Sequence, residues 1–562
     1  MRVLGPSDTW PFYPAGRPWD GVALNTETSQ ARMKYRAATN LIDSPDAIVI
    51  GSGIGGLGLA SLLAQRRGMK VLVLEAADVP GGCMHVHEVD GFEFNCGIDS
   101  VGDMNPQVGR GINRATADYV TQGQLKWAKM NDVHEVCTFG DEEYQWHSSA
   151  EANIEWIDRL CPGEGNVRKY YDLEKKIEIG STGWALTKVL PSWIPRFAVD
   201  ATYKLTGHAW QKYVKLNAKD VFRGELGFSE RLTSVFCYMY GNHGILPARL
   251  PFAMHAATMH HYRNGAYYPA GGPSQIVEHI IPIIEKAGGQ VAVGTPAGKI
   301  IVENGRAVGV KLEKGGEVRA PIVVSDASAY TTFNDLLDPE LSASLGYTDG
   351  LKKIPSSPAH AHLMLGFDER LDLPQHIMWV LPDYPGTNKY DLDASDALWK
   401  KERRIDGGPA AYILCPSERD PIFQQRYPGK STVCVLAEVP VDWMQRYRAE
   451  PAFKAELEGQ LMERLTATAQ RYLPGLRGKT PKFKELGVPV GCNPRSYGGC
   501  SYGLECSADR FIEHTHWLRH RTRVPGLYLT GQDPFIPRCA GALISARIAY
   551  SVITGDLLFM LG

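Results

Sequence analysis

The chain has 562 residues, with 60 Lys or Arg against 62 Asp or Glu, and 44% of its residues are hydrophobic. The net charge of −2 argues against nucleic-acid binding as the main activity, because the phosphate backbone demands an excess of basic residues. The apolar content excludes a disordered chain, and no uncharged apolar run approaches the roughly 18 residues of a membrane-spanning helix.

The first elements predict a βαβ unit. Residues 1–44 are rich in Pro, Gly and Trp and lack the pattern of a secretory signal, so we expect an extended arm that lies on the body. Residues 47–50, AIVI, are wholly apolar and predict a buried strand. Apolar residues at helical spacing follow and stop at Gly68, and a second apolar run occupies 71–74. This order favours two parallel strands joined by a helix.

The turn after the first strand predicts a dinucleotide site. Gly51, Gly53 and Gly56 match G-x-G-x-x-G, and Gly55 adds a further glycine. Such a turn brings a diphosphate close to unpaired N–H groups at the helix N-terminus. Glu75 ends the second strand and would accept hydrogen bonds from a ribose diol while repelling a 2′-phosphate, which argues against NADP. The motif alone does not separate NAD from FAD.

Residues 76–83, AADVPGGC, resemble the second glycine signature of the FAD-dependent amine oxidase and phytoene desaturase superfamily. The resemblance implies that Gly82 brings the backbone close to the cofactor. Cys83 stands where this superfamily often has a basic residue, so the usual ion pair to phosphate is not expected here. We count both residues among the candidate cofactor contacts.

Residues 526–533, GLYLTGQD, are similar to the last strand and turn of the same superfamily. The resemblance implies that Asp533 bonds the ribityl chain of FAD beside Gly531. It also implies that the helix opening at Ala542 faces the electron-rich edge of the flavin, where the positive end of the helix dipole is favourable. FAD is therefore the cofactor that we expect.

From about Pro45 onward the chain resembles the retinol saturase and carotenoid isomerase branch of these flavoproteins, and its ending is more similar to retinol saturase. Besides the glycine turn, the resemblance rests on GFEFNCGIDSVG (91–102), GAYYPAGGPSQI (265–276), RYPGKST (426–432), YGLE (502–505) and LYLTGQDPF (527–535). It implies an α/β fold in which a Rossmann-type FAD-binding domain, built from discontinuous segments, joins a mixed-sheet and helical substrate domain. It also implies that the backbone of Val293 contacts the adenine side of FAD, although that segment could be ordinary sheet.

The domain boundaries follow from this resemblance and from the changes in composition. After the arm at 1–44, we expect FAD-binding segments at 45–135, 263–335 and 491–562. The substrate domain would occupy 136–262 and 336–490.

The resemblance implies an FAD-dependent oxidoreductase that reduces a carbon–carbon double bond of a polyene lipid, either a retinoid or a carotenoid. In such a reduction flavin N5 delivers a hydride to one carbon and an acid protonates the other. We expect Tyr268 to be this acid, with Asp99 and Glu505 as the second and third candidates, because a phenol or a buried carboxyl can donate a proton near neutral pH. An aromatic and methionine cluster would line the substrate tunnel or belong to the core: Phe236, Tyr238, Met239, Tyr240, Phe252, Met254 and Met259.

Other functions remain open at this point. A desaturase or a cis–trans isomerase would use the same flavin. An amine oxidase would want an aromatic pair beside the flavin, which no motif in the chain indicates. A flavin- or lipid-binding protein without activity is a further alternative. The electron donor is not indicated by any motif.

Residues 181–213 mix Trp and Lys in a way that suits peripheral contact with a membrane, although a helical cap of the substrate domain is an equally simple interpretation. The patch would use Trp184, Lys188, Trp193, Arg196, Lys204, Trp210 and Lys212. We expect an intracellular protein peripheral to a membrane, with a plastid or endoplasmic reticulum location left open. We expect no metal, because His255, His260 and His261 are poorly spaced for ligands, and the 11 cysteines form no CxxC pair.

Overall fold

The computed structural model describes residues 25–29, 35, 40–105, 111–190, 208–402, 410–488 and 500–556. Most of the N-terminal arm and the segment 191–207 lie outside the described residues. The strands are β1 (Ala47–Ile50), β2 (Val71–Leu74), β3 (Val86–Val89), β4 (Phe92–Asn95), β5 (Trp127–Lys129), β6 (Val133–Phe139), β7 (Glu142–His147), β8 (Tyr267–Pro269), β9 (Gln290–Ala292), β10 (Ala297–Glu303), β11 (Arg306–Leu312), β12 (Glu317–Arg319), β13 (Ile322–Ser325), β14 (Ala359–Phe367), β15 (Ile377–Leu381), β16 (Ala411–Leu414), β17 (Ser431–Val439), β18 (Phe483–Gly487) and β19 (Leu527–Leu529).

The α-helices are α1 (Ile54–Arg67), α2 (Ile112–Val120), α3 (Ala150–Leu160), α4 (Val167–Val189), α5 (His208–Tyr213), α6 (Ala218–Asp220), α7 (Glu230–Phe236), α8 (Phe252–His261), α9 (Ser274–Lys286), α10 (Pro339–Ser344), α11 (Tyr347–Lys352), α12 (Leu392–Glu402), α13 (Pro416–Arg419), α14 (Phe423–Arg426), α15 (Val441–Ala449), α16 (Pro451–Tyr472), α17 (Ala508–Ile512) and α18 (Arg538–Thr554). Among these described helices, none combines the length and apolar character needed to cross a bilayer.

A five-stranded parallel sheet has the order β19-β13-β1-β2-β9. Its strands are short and wholly apolar at the centre, as expected for a sheet that is covered on both faces. Helix α1 connects β1 to β2 and ends at Gly68, whose φ of 61° is the left-handed conformation that favours glycine at a helix end. The predicted βαβ unit and the predicted α/β fold class are confirmed.

The parallel sheet is assembled from distant parts of the chain. Strands β1 and β2 come from residues 47–74, β9 and β13 from residues 290–325, and β19 from residues 527–529. Helices α1 and α18 pack against each other, and a methyl group added at Gly58 would lie 3.4 Å from Cβ of Ala546. The N-terminal and C-terminal regions of the described chain therefore share one hydrophobic core.

The second large sheet has seven strands in the order β18-β14-β17-β16-β15-β6-β7. All its strand pairs are antiparallel except β15 with β6. The apolar residues of α16 cover one part of this sheet. Near β6 and β15 it joins a large, aromatic-rich core formed with the helices between Ala150 and His261.

A buried charge cluster connects β4 with the segment that contains α14. Arg426 donates to both carboxylate oxygens of Glu93, at 2.6 and 2.8 Å, and to Asp420 at 2.5 Å. All three side chains are at most 2% exposed. Burial raises the pKa of Glu93, but the hydrogen bonds and charge of Arg426 outweigh that effect, so the pKa lies below its ordinary value. One guanidinium therefore compensates two carboxylates in the protein interior.

We expect Arg426→Leu to lower the free energy of unfolding by about 3–5 kcal/mol, because two buried carboxylates lose their counter-charge. Urea unfolding at neutral pH measures the change. Arg319→Leu is the matched control, since Arg319 forms ion pairs with Glu303 and Glu317 at the surface, where solvent screens them and they contribute little to stability. Equal losses for the two variants would contradict the importance of the buried cluster.

Candidate cofactor and active site

One cavity of about 1260 Å³ extends from the carboxyl edge of the parallel sheet to the seven-stranded sheet. Its walls at the parallel sheet include Gly51, Gly53, Gly55, Glu75, Gly531 and Asp533. Its walls at the other sheet include Trp379, Tyr412, Leu436 and Glu438. A ligand in this space would touch both domains at once.

The glycine turn after β1 meets the corner after β19. A Cβ atom added at Gly55 would lie only 2.6 Å from the backbone nitrogen of Gly531. The Thr530 hydroxyl approaches the Gly55 carbonyl at 3.4 Å, and the Thr530 amide donates to Ser325 at 2.9 Å. Two segments that are 475 positions apart in sequence thus form one cradle, and only glycine fits at their contact.

Glu75 and the second glycine signature hold this turn in place. The Glu75 carboxylate accepts hydrogen bonds from the Ser52 amide at 3.0 Å and the Ser52 hydroxyl at 2.5 Å. The Ser52 hydroxyl in turn accepts from the Gly81 amide at 2.9 Å. A Cβ added at Gly82 would lie 3.4 Å from Cα of Gly53. Gly82 and the exposed Cys83 both line the cavity next to the turn.

The remaining candidate cofactor residues divide into two groups. Asp533 and Ala542 line the cavity, and the Asp533 carboxylate accepts from the backbone amides of Leu504 at 2.9 Å and Ala329 at 2.6 Å. Gly56 and Val293 are not among the lining residues. A Cβ at Gly56 would lie 2.4 Å from the Gly51 carbonyl, so this glycine serves close packing within the turn. The contacts of these residues with FAD stay predictions.

Asp326 is a cavity-lining residue that the sequence reasoning missed. Its carboxyl oxygens would lie 2.5 Å from a Cβ added at Gly53 or Gly55, and 2.6 Å from one at Gly531. Burial raises its pKa to about 8, and the charge of Glu75 adds to the rise. The group is therefore mainly neutral at pH 7, which suits a neighbouring anion. The available signal was an acid shortly after a short apolar run, residues 322–324, as Glu75 follows the apolar run 71–74.

Of the three candidate acids, Asp99 alone lines the cavity. Burial raises the pKa of its carboxyl above the ordinary value, and the nearby Arg419 and Asn95 offset only part of that rise. Arg419 also donates to the Asp99 carbonyl at 2.6 Å, which holds the backbone in place. Tyr412, on β16, faces the same carboxyl and lines the cavity, and sequence reasoning did not single it out. A protonated carboxyl in this position can donate a proton to a bound molecule.

Tyr268 and Glu505 are not among the cavity-lining residues. The Tyr268 hydroxyl donates to Asn95 at 2.8 Å, and burial together with Glu93 and Asp420 raises its pKa well above 10. Glu505 forms an ion pair of 2.6 Å with Arg249. The placement therefore favours Asp99 over the first and third choices, although the role of proton donor stays a prediction for all three.

The aromatic cluster divides between core and cavity. All seven predicted tunnel residues are buried, but only Tyr240 and Met254 line the cavity. Trp184 and Trp210, which we expected at a lipid surface, line it as well, with ring centroids 5.4 Å apart and exposures of 2% and 1%. Their rings pack on interior aromatic residues such as Phe535, so they do not face lipid.

Lys188 is also buried, with 4% exposure, and donates to the carbonyls of Thr515 and Leu518. Trp184, Lys188 and Trp210 were therefore wrongly assigned to a membrane patch. Trp193, Arg196 and Lys204 lie outside the described residues, so the membrane contact itself stays a prediction.

Comparison with known proteins shows that the chain is similar to retinol reductases and to a desaturase. A family model described as an NAD(P)-binding Rossmann-like domain matches residues 49–112. The all-trans-retinol 13,14-reductase of Danio rerio is 32% identical over 540 residues, covering 92% of this chain and 87% of that protein. The Homo sapiens protein of that name is 29% identical, covering 96% and 90%. The 4,4'-diapophytoene desaturase of Methylomonas sp is 25% identical, covering 70% and 74%.

Solved structures share the fold at low sequence identity. Putrescine oxidase bound to putrescine has a TM-score of 0.56 and 13% identity, covering 91% of this chain and 98% of that one. An oxidoreductase from Methanosarcina mazei has a TM-score of 0.55 and 16% identity, covering 91% and 99%. These similarities confirm the predicted architecture of a Rossmann-type domain joined to a second domain.

We expect Gly55→Ala to weaken FAD binding at least tenfold, because the new Cβ would collide with the Gly531 backbone and force the cradle apart. Flavin fluorescence during titration of the apoprotein measures the affinity. Gly459→Ala, on the exposed side of α16 with no atom within 4 Å, is the control. It should retain affinity and stabilise the helix by about 1 kcal/mol. Unchanged affinity in Gly55→Ala would contradict the cradle.

Asp326 should make the protein less stable as the pH rises. The pKa of Asp326 is about 8 in the folded protein, whereas its ordinary value is 3.8. Between pH 3.8 and pH 8 the folded protein therefore holds a proton that the unfolded chain has released. The resulting stabilisation is lost as the pH rises through 8. Asp326→Asn should therefore lose less stability than the parent between pH 5 and pH 8 in urea unfolding. Parallel losses in the two proteins would exclude this role.

Proposed function

The chain belongs to the family of the all-trans-retinol 13,14-reductases, and we propose that it uses FAD to reduce a carbon–carbon double bond of a polyene lipid. The observation that carries the proposal is the single cavity that begins at the glycine cradle and continues to the carboxyl of Asp99. Such a reduction needs a cofactor and a substrate in one enclosed space, with the reacting atoms about 3–3.5 Å apart.

The choice of FAD is supported by the fit of the cradle. Gly53, Gly55 and Gly531 leave no room for side chains, so backbone can approach a diphosphate directly. The volume of about 1260 Å³ exceeds the roughly 300–1,000 Å³ of an ordinary ligand pocket, as expected for a cofactor and a lipid together. When bound in its reduced form, FAD would supply the hydride.

In this reaction the residues of the protein would hold the lipid, exclude water and provide a proton. Trp184, Trp210, Met254, Phe535 and Ile544 give the cavity an apolar wall that favours a polyene over water. Asp99 is our candidate donor, because its raised pKa keeps the proton available at higher pH than an ordinary carboxyl would. The proton would go to the carbon next to the one that receives the hydride.

Desaturation or cis–trans isomerisation is the second candidate, supported by the similarity to the Methylomonas desaturase. Anaerobic incubation of the reduced and the oxidised holoprotein with retinol and with carotenoids separates the reactions. A product heavier by two hydrogens supports reduction, and one lighter by two supports desaturation. Unchanged mass with an altered retention time supports isomerisation. A holoprotein that transforms no polyene would contradict both proposals.

We expect Asp99→Asn to lower the rate of polyene reduction by about 10²–10⁴-fold, because an amide cannot donate the proton. FAD affinity should change little, since the glycine cradle is untouched. In the parent the rate should fall as the pH rises through the raised pKa of Asp99, and this limb should disappear in the variant. Product formation after single-turnover mixing measures both effects.

Tyr268→Phe is the matched control for Asp99→Asn. It removes a hydroxyl that donates to Asn95 but does not reach the cavity, so the rate should stay within about threefold of the parent. A large loss in Tyr268→Phe together with a fully active Asp99→Asn would reverse the assignment and restore Tyr268 as the donor.

A further inference from the structure

Arg538 is a cation that faces the cavity and has no carboxylate partner among the described residues. It is the first residue of α18 and lines the cavity. Its side chain donates to one group, the Tyr262 hydroxyl, at 3.1 Å. Within the part of the chain that the structure describes, it forms no ion pair. The side chain is partly exposed at the cavity wall, so a negatively charged ligand in the cavity can reach its guanidinium.

The backbone of Arg538 adds a second indication. Its φ is +75°, a left-handed conformation that is unfavourable for a residue with a long side chain. Such strain is retained where the surrounding structure needs a side chain in one particular direction. The residue also begins a 17-residue helix, whose amino end carries partial positive charge. The guanidinium and the helix end therefore favour the same kind of ligand.

The groups around Arg538 are three phenols and two acids, none of which forms an ion pair with it in the described part of the chain. Its neighbours include the phenols of Tyr262, Tyr412 and Tyr502, which are neutral at physiological pH. The two nearby acids, Asp99 and Glu135, have pKa values raised by burial. The Glu135 carboxyl is also engaged by Tyr238 at 2.5 Å and Trp379 at 3.1 Å.

The position of Arg538 along the cavity suggests the source of the negative charge. Glu75, the candidate ribose acceptor, stands on one side of the glycine cradle, and Gln532 follows the cradle at Gly531. The Arg538 amide donates to the Gln532 side chain at 3.3 Å. A dinucleotide that places its adenosine at Glu75 and its diphosphate in the cradle must extend its other end toward Gln532 and Arg538.

We propose that Arg538 compensates the negative charge that the flavin ring carries in its reduced state, an inference that rests on the proposed use of FAD. The anionic reduced ring would hold one hydride more than the oxidised ring, and its negative charge would be lost together with that hydride. Arg538 transfers nothing itself. It stabilises the reduced state relative to the oxidised state and thereby sets the redox potential. A carboxylate on a polyene acid is the other anion that this site could bind.

Sulfite is a direct probe of this charge, because it adds reversibly to an oxidised flavin and leaves negative charge on the ring. With the holoprotein, we expect Arg538→Gln to weaken sulfite binding at least tenfold and to lower the midpoint potential, whereas Arg538→Lys should stay within about threefold of the parent. Arg319→Gln, which neutralises an exposed arginine, should change neither quantity. Unchanged sulfite affinity and potential in Arg538→Gln would overturn the proposal.

Arg538→His keeps the test decisive if Arg538→Gln does not retain FAD. The ratio of its sulfite affinity to that of the parent should rise as the pH falls and the imidazole becomes protonated. A ratio that does not change with pH would overturn the proposal.

Titration of retinoic acid and of retinol into the parent and into Arg538→Gln tests whether the anion is instead a substrate carboxylate. Selective loss of acid binding with unchanged sulfite binding would assign Arg538 to a substrate carboxylate instead. If Arg538→Gln weakens sulfite binding but the parent converts no polyene, the proposed function is contradicted and the role of Arg538 is not.

Discussion

The contact between the glycine turn and the Thr530–Gly531 corner is the constraint on which the site depends. At Gly55 the two backbones approach so closely that no side chain fits between them. This approach requires β19 to lie beside β13, which lies beside β1, so the end of the chain must complete the sheet that its beginning starts. The helices that follow these strands, α1 and α18, then pack together and direct their N-termini toward the same cavity.

The titratable groups away from the surface include two kinds: those that form ion pairs and those whose pKa values are raised. Beside β4, the guanidinium of Arg426 donates hydrogen bonds to the carboxylates of Glu93 and Asp420, which compensates both of their charges. Around the cavity, the acids Asp99 and Asp326 have raised pKa values because burial disfavours their charged forms. Arg538 keeps its charge beside them without an ion pair in the described structure. A redox-active ligand that extends from the glycine cradle would therefore meet the positive side chain of Arg538. The raised pKa values of Asp99 and Asp326 favour their protonated forms.

The seven-stranded sheet decides which residues can act on a substrate. Strands β15 and β16 bring Trp379 and Tyr412 together, with ring centroids 4.6 Å apart, at the wall opposite the glycine cradle. Tyr412 faces Asp99, although 313 residues separate them in sequence. The antiparallel pairing of β16 with β17 and β15 fixes this placement, and no local motif around Tyr412 indicates it.

The sequence by itself determined the features that depend on neighbouring residues. The apolar runs at 47–50 and 71–74 and the glycines between them specify local backbone conformations, and the structure has two strands and a turn at these positions. The similarity of separated motifs to one family also predicted the fold class correctly. The contact of Gly55 with Gly531 was not predicted from either segment and is known from the structure.

Only the tertiary structure decided which buried residues face a cavity. Apolar periodicity indicates that a side chain is buried, but it does not tell whether that side chain borders packed core or a cavity. Five of the seven candidate tunnel residues therefore proved to be core. Trp184 and Trp210, in contrast, proved to line the cavity. The same reason separates Asp99 from Tyr268. Asp326 and Arg538 gained their significance from strand order and from one strained backbone angle, and both arise from long-range packing that local sequence does not encode.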